Sequence, residues 1–509
     1  MALASTLSAT VEGVSARVVT VEANVGPGLP GMHMVGLGDA AVKESRERIR
    51  TAISNSALPW PRTKIMVSLS PAHLPKAGSH FDLPIAAAVL GSLDPRAQRT
   101  LAATMLLGEL ALDGTLRRVE GVLPMLVAAL IDATGRAKPT TVVVPRANAE
   151  EAALIGGGRI LVADTLTEVW AWLTGAGDLE TVQGPIRPEP ARAVPDFRDV
   201  AGMRFERHAL EVAAAGGHHV MMVGPPGSGK SMLAERLPSI LPPMDIAEMV
   251  EVTSLHSVAG LSHGRVVSQR PFIAPHPSLT KAALIGGGSG TPMPGVVSQA
   301  HNGVLFLDEV SEIPAHVLDA LRIPLEKRQV RLMRGKREVV YPADTQLVLA
   351  ANPCACDRRD GVCHCTGSAR ANYLSNVSGP LRDRIDVRLN TSGASAVVHP
   401  LDAEPSATIA QRVAAARERA ADRWAKAGVE ERVNGRVPAT MIRRDFPAEE
   451  SGMAYLAGLL TRQQLTQRGV DRCLKLAWTL ADLGGAERPG IDHIAIAVDM
   501  RSTDVKAVA

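Results

Sequence analysis

Three hydrophobic patterns follow one another along the 509-residue chain. In residues 1–174, strand-like runs (ARVVTVEANV at 16–25, KIMVSLS at 64–70, TTVVVP at 140–145) are interleaved with helix-like stretches (DAAVKESRERIRTAISNSA at 39–57, LPMLVAALIDATG at 123–135). This mixture predicts an α+β domain. Residues 175–197, GAGDLETVQGPIRPEPARAVPDF, are rich in Pro, Gly and charge and read as a linker. Residues 198–400 alternate helical periodicity, short apolar runs and Gly-rich loops, which predicts an α/β core with a parallel sheet. Beyond that the strand signal stops. Residues 406–428, 449–465 and 470–485 carry helical periodicity, so 401–509 is predicted to be all-α.

Composition narrows the class. Hydrophobic residues at 46% and charged residues at 21% belong to a globular protein. Aromatics are only 3%, so the cores must be built from Ala, Val, Leu and Ile. A net charge of +3 excludes a basic footprint over the whole protein and leaves room for a local one. No apolar run approaches the roughly 18 residues of a membrane helix. The start, MALASTLSATVEG, lacks the basic and apolar regions of a secretory signal. Four of the five cysteines are clustered, which is not a secreted disulfide framework. These features predict a cytoplasmic protein that makes no use of a membrane.

The candidate chemistry begins with HHVMMVGPPGSGKSMLAERL, a buried strand, a Gly-rich loop and a helix. Gly224, Pro225, Pro226, Gly227, Ser228, Gly229, Lys230 and Ser231 fit G-x-x-x-x-G-K-[ST]. The glycines let successive backbone N–H groups turn toward phosphate oxygens, and the helix adds its positive end. Lys230 is placed to reach the β- and γ-phosphates, and Ser231 to ligate Mg²⁺. Further on, NGVLFLDEV is an apolar strand tipped by two acids. Asp308 is predicted to hold the Mg²⁺ shell and Glu309 to polarise the attacking water. The next strand, TQLVLAAN, ends on Asn352, which either orients that water or simply ends a strand before Pro353.

Between these strands, RQVRLMRGKREVVYPADTQ reads as two strands joined by a turn. Arg334, Lys336 and Arg337 make that turn basic, which suits a nucleic-acid backbone gripped without reading its sequence. A solvated charged turn is the plainer alternative. After Asn352 come Cys354, Cys356, Cys363 and Cys365, spaced C-x-C, six residues, C-x-C. Four thiolates on a short loop can wrap a tetrahedral Zn²⁺. Scattered reduced cysteines, or a redox clip, remain open alternatives.

Taken in order, GLPGMHMVGLGDAAVKESRERIR, PKAGSHFDLPIA, GPPGSGKSMLAERLPSILPP, RPFIAPHPSLTKAALIGGG, HNGVLFLDE, ANPCAC…CHC, GPLRDRIDV and QRGVDRCLKLAWTLADL resemble the YifB/ComM family of Mg-chelatase-like AAA+ ATPases. The resemblance implies a Lon-protease-like N-terminal domain, a AAA+ P-loop core and a C-terminal helical lid. It implies a ring, a homo-hexamer, hydrolysing ATP at subunit interfaces. It makes Arg384 the arginine finger, with Arg382 close by, and Arg468 the sensor-2 arginine, with Arg472 as its rival. Aligning PKAGSH on the protease's serine loop puts His80 at the nucleophile, Ser79 one place off, and the dyad lysine near Met125, so the resemblance implies an inactive scaffold. Members of the ComM type are DNA motors that promote branch migration, which makes a DNA translocase or helicase the leading expectation. A protein-remodelling ATPase of the Mg-chelatase or MoxR kind is the alternative.

Overall fold

The computed structural model describes residues 2–36, 38, 40–76, 78–131, 139–182, 194–288, 292–334, 337–354, 356, 365–366, 368, 373–391 and 404–502. The chain forms two compact units. The first comprises Met1–Pro190 with two later segments, Asp245–Ser268 and Met333–Tyr341. The second comprises Ala191–Met244, Gln269–Leu332 and Pro342–Ala509.

The first unit is built on an eight-stranded sheet of order β10-β9-β8-β5-β1-β2-β4-β3. Its strands are β1 (Ala2–Glu12), β2 (Ser15–Gly26), β3 (Gly31–Val35), β4 (Lys64–Ser70), β5 (Thr104–Leu106), β8 (Thr141–Pro145), β9 (Arg159–Ala163) and β10 (Glu180–Thr181). The short pair β6 (Glu109–Leu110) and β7 (Leu116–Arg117) lies outside that sheet. Strands β1 and β2 form a long antiparallel hairpin from Ala2↔Val25 to Glu12↔Ser15. In the middle of β2, Val19, Val21 and Ala23 are fully buried while their neighbours are partly exposed, the period-two pattern of a half-covered strand. The helix Asp82–Leu93 is apolar all round and almost wholly buried. Its one acid, Asp82, is bound by Arg48 through two hydrogen bonds of 2.9 and 3.1 Å. Burial pushes the Asp82 carboxyl up to about 6, against the pull of Arg48.

Two findings differ from the sequence expectation. Glu180–Thr181 lie in the stretch read as linker, yet they pair antiparallel with β9, because a polar dipeptide is enough to cap a sheet edge. Segments 245–268 and 333–341 fall inside the block read as the ATPase core, yet they cluster with the first unit. The helix Ile246–Val258 begins with a capping box between Asp245 and Glu248 and buries Val252 and Leu255. Its Ser257 hydroxyl accepts the Gly121 N–H at 2.9 Å, and Glu150 accepts the Val266 N–H at 3.2 Å. Gly13, at φ +68°, turns the β1–β2 hairpin against Val339, where a Cβ would meet the Val339 methyl at 3.0 Å.

The second unit holds a five-stranded sheet of order β12-β15-β18-β11-β19, parallel throughout. Its strands are β11 (Val220–Val223), β12 (Phe272–Ile273), β15 (Val304–Leu307), β18 (Gln346–Ala351) and β19 (Val387–Asn390). Strands β11, β15 and β18 are buried at every position, as a sheet covered on both faces requires. One face, with Val220, Met222, Phe306, Val348 and Leu389, packs in one cluster with the helix Arg204–Gly216 and the C-terminal helices. The other face, with Met221, Leu305, Leu307 and Leu349, packs with Leu284, Val317, Leu321 and Leu381. The predicted C-terminal helices are Ser406–Lys426, Glu450–Thr461 and Gln467–Gly484, followed by Ile491–Ser502. Three of the scarce aromatics meet here: Trp424, Phe446 and Trp478 pack edge to face, and the Arg423 guanidinium lies 4.2 Å from the Trp478 ring centre. Among the described residues no helix is long and apolar enough to cross a membrane.

Candidate nucleotide site and its opposite edge

At the carboxyl ends of the parallel strands, a cavity of about 860 Å³ opens in the second unit. Residues Pro226–Met232 line it together with Asp308, Glu309, Glu312, Asn352, Cys354 and Tyr373. The loop after β11 is possible only with glycine at set positions. Gly227 and Gly229 take φ of +76° and +85°. At Gly224 a Cβ would fall 2.0 Å from the Thr391 hydroxyl and 2.3 Å from its carbonyl oxygen. Gly224 and Pro225 stand behind the cavity wall, and their carbonyls accept hydrogen bonds from the Lys230 ammonium at 2.7 and 3.0 Å. The same ammonium donates to Asn352 Oδ1 at 3.1 Å, so the tips of β11 and β18 meet at one cation.

The carboxylate pair sits beside this lysine. Ser231 Oγ donates to Asp308 Oδ2 at 2.8 Å, which brings the two predicted Mg²⁺ ligands together. Both offer hard oxygen atoms, the donor type Mg²⁺ requires, and the glycine backbone leaves room for phosphates, so the residues fit Mg²⁺–ATP. Glu309 is exposed, with a left-handed φ of +46°. Asp308 Oδ1 accepts the Glu309 N–H at 2.8 Å, and the Glu309 carbonyl accepts the Glu312 N–H at 2.8 Å. A left-handed glutamate is costly and is held here by both hydrogen bonds, and Glu309 is among the residues that line the cavity. Sequence reasoning missed Met232, Glu312 and Tyr373 as lining residues, since none belongs to a spaced motif.

Arg384 and Arg468 do not border this cavity. They line a second one of about 460 Å³, together with Arg472. His219, Thr345 and Asp386 also line it, and these immediately precede β11, β18 and β19, so it lies at the amino edge of the same sheet. Arg384 pairs with Glu326 at 2.7 Å. Arg468, with a side chain 73% exposed, reaches Asp383 only at 3.5 Å. Arg472 is engaged with buried Asp386 at 2.7 Å. Burial opposes the charge of Asp386, but Arg472 and His218 outweigh it and hold the carboxyl well below the usual range. Burial pushes the His219 ring down to about 4 and the Lys475 ammonium down to about 8.

The hairpin expected after the strand tipped by Asp308 and Glu309 is present as β16 (Gln329–Arg334) and β17 (Arg337–Pro342). Arg334 and Arg337 end its strands; their side chains, and Lys336 altogether, lie outside the described residues. Cys354, Cys356 and Cys365 converge, with all three sulfur atoms within 4.8 Å of one another. Cys363 lies outside the described residues.

In the first unit, no Ser–Lys dyad forms at the positions read from the sequence. His80 is buried with its ring nitrogen 2.7 Å from the Ala9 carbonyl, and Met125 is fully buried in apolar core. Ser79 donates to Glu109. The buried amine of Lys76, which the motif reading passed over, donates to the Pro71 carbonyl, and burial lowers its pKa.

Comparison with known proteins agrees with this geometry. The family described as magnesium chelatase, subunit ChlI, matches residues 196–397; a second, described as subunit ChlI of Mg-chelatase, matches 21–148, and a third, described as magnesium chelatase, subunit ChlI C-terminal, matches 403–501. A protein of Mycobacterium tuberculosis is 46% identical over 99% of this chain and 100% of its own. YifB of Escherichia coli is 40% identical over 97% of this chain and 96% of its own. Competence protein ComM of Haemophilus influenzae is 36% identical over 99% of this chain and 98% of its own. With a P-loop core, a Lon-like N-terminal domain and helices at the C-terminus, the chain belongs to the YifB/ComM family of Mg-chelatase-like AAA+ ATPases.

Proposed function

We propose that this ATPase is a cytoplasmic DNA motor, a homo-hexameric ring that couples ATP hydrolysis to DNA translocation and branch migration. The observation that carries the DNA reading is the hairpin β16–β17, whose turn Arg334-Gly335-Lys336-Arg337 concentrates cations on a chain of net charge only +3. Such a tip grips phosphates through charge alone, as a translocating element must. The similarity to a competence protein is consistent with it.

In this reading the P-loop amides and Lys230 hold the phosphates, while Ser231 and Asp308 hold Mg²⁺, which neutralises developing charge when bound. Glu309 accepts a proton from the attacking water, and Asn352 fixes the water's position. The missing cation is supplied in trans. Arg384 and Arg468 stand at the amino edge of their own sheet and serve the carboxyl-edge cavity of a neighbouring subunit. Arg468 is assigned this role over Arg472 because Arg472 is committed to Asp386. The cysteine cluster is a structural clip for zinc and not a second active site.

The test is steady-state ATP hydrolysis with and without single-stranded and branched DNA, with Glu309→Gln as control. Salt-sensitive stimulation that disappears in Glu309→Gln is expected. Turnover indifferent to every DNA, together with an unchanged response when Arg334, Lys336 and Arg337 are neutralised, would favour a protein partner instead.

A further inference from the structure

The cysteine cluster touches the nucleotide cavity itself. Cys354 is 7% exposed and lines that cavity, whereas Cys356 and Cys365 do not. It follows Asn352 by two residues, with Pro353 between them, and Asn352 Oδ1 accepts from Lys230 at 3.1 Å. A displacement of Cys354 therefore moves Asn352, the side chain that links the β18 tip to the phosphate lysine, because proline leaves little backbone freedom between the two.

The sulfur positions fit a metal. All three lie within 4.8 Å of one another, and Cys354 and Cys356 approach to 3.0 Å. A zinc ion with Zn–S bonds of about 2.3 Å spaces its tetrahedral sulfurs about 3.8 Å apart, a distance the cluster reaches with small shifts. An all-sulfur set selects a soft or borderline cation over Mg²⁺, so the neighbouring Mg²⁺ site and this one do not compete. Building the site releases three protons as three thiols become thiolates, with no electron transferred, and water or another ligand completes the coordination.

We infer that Cys354, Cys356 and Cys365 bind one zinc ion whose occupancy sets the rate of ATP turnover by positioning Asn352. The turnover part rests on the ATPase assignment above; the metal part does not. Zinc acts here as a positioning element, outside the reaction.

The experiment uses the full chain purified without chelator. Elemental analysis is expected to give about one zinc per chain. Cys356→Ser and Cys365→Ser lose it, while Cys473→Ala, a thiol in the lid core, keeps it. Cobalt grown in place of zinc shows the intense sulfur-to-metal absorption of a thiolate site, weakened by each serine. Stripping wild-type zinc with a mercurial, followed by a chromogenic chelator, lowers kcat about tenfold with KM for ATP little changed, and returning thiol and zinc restores it. The stripping arm stays decisive if the serine variants fail to fold. A zinc-free wild type, or zinc retained by both serine variants, overturns the site. Zinc that is present and removable without effect on kcat overturns the coupling. A zinc-loaded wild type with no more hydrolysis than Glu309→Gln refutes the ATPase reading and leaves the site standing.

Discussion

The two edges of one sheet differ in kind. At the carboxyl edge the cavity is walled by glycine backbone, small hydroxyls and three carboxylic acids, with Lys230 its one lining lysine or arginine among the described residues. At the amino edge the lining carries Arg328, Arg384, Arg436, Arg468 and Arg472, each paired with an acid such as Glu326, Asp383 or Asp386, and Lys475, which donates to the Gly435 carbonyl. Backbone amides can cradle a polyphosphate in the ground state, but they do not follow the charge that builds up in the transition state. Long guanidinium side chains can. In the proposed ring, a subunit with its arginines on the far edge is half an active site, and each interface completes one. In that proposal the paired acids orient the cations for a neighbour's phosphates.

The strongest way to break this comparison is Arg384→Ala. Turnover should fall on the order of 10³-fold, as for other arginine fingers, with ATP binding retained. Mixing that variant with Glu309→Gln should restore part of the activity, because one chain then supplies the finger and the other the water-polarising acid. A mixture as dead as its components would return the finger to its own subunit. Next in size is Asp386→Asn. Removing the acid leaves Arg472 without its buried counter-charge, and unfolding in denaturant should show a loss of about 3 kcal/mol. The wild-type contribution is fully present above the ordinary carboxylate pKa. It is lost only as pH falls through the depressed folded value, so the Asn variant should differ least in acid.

Lys475 gives a smaller effect with an unusual sign. Its folded pKa, near 8, lies below the 10.5 of an exposed lysine, so between these values the unfolded chain holds more protons. Stability from this group should therefore rise with pH through that window, by on the order of 2 kcal/mol. Lys475→Met should flatten the rise when urea midpoints at pH 7.5 and 9.5 are compared. Smallest is Glu326→Gln. The pair with Arg384 is largely solvated on the acid's side, so hydrolysis should change by no more than about twofold. A larger change would mean the paired acid itself gates the finger.

How much of this was legible depended on whether a residue's role is local in sequence. The P-loop, Asp308 and Glu309 were readable because strand, loop and ligand are contiguous, and β15 falls on Val304–Leu307, the predicted apolar run. Tyr373 and Glu312 were not, because they reach the cavity through packing between distant segments. Arg472 could not be told from Arg468 by spacing one helical turn apart; burial against Asp386 separates them. The capture of 245–268 and 333–341 by the first unit was hidden for the same reason. The helix Ile246–Val258 buries Val252 to Ser257 in one unbroken run, with no apolar stripe to name a partner, and Val339 reads as any strand valine.

That capture has a consequence for how the chain is made. Residues are synthesised from the N-terminus, and domains usually fold as they emerge. The first unit cannot finish on this schedule. Val266 belongs to its apolar core, with Met249 and Val250 packed against it, and the Gly13 turn waits for Val339. Until residue 341 has left the ribosome, the sheet that appeared first keeps part of its core uncovered, and a truncation after residue 190 would leave it so permanently.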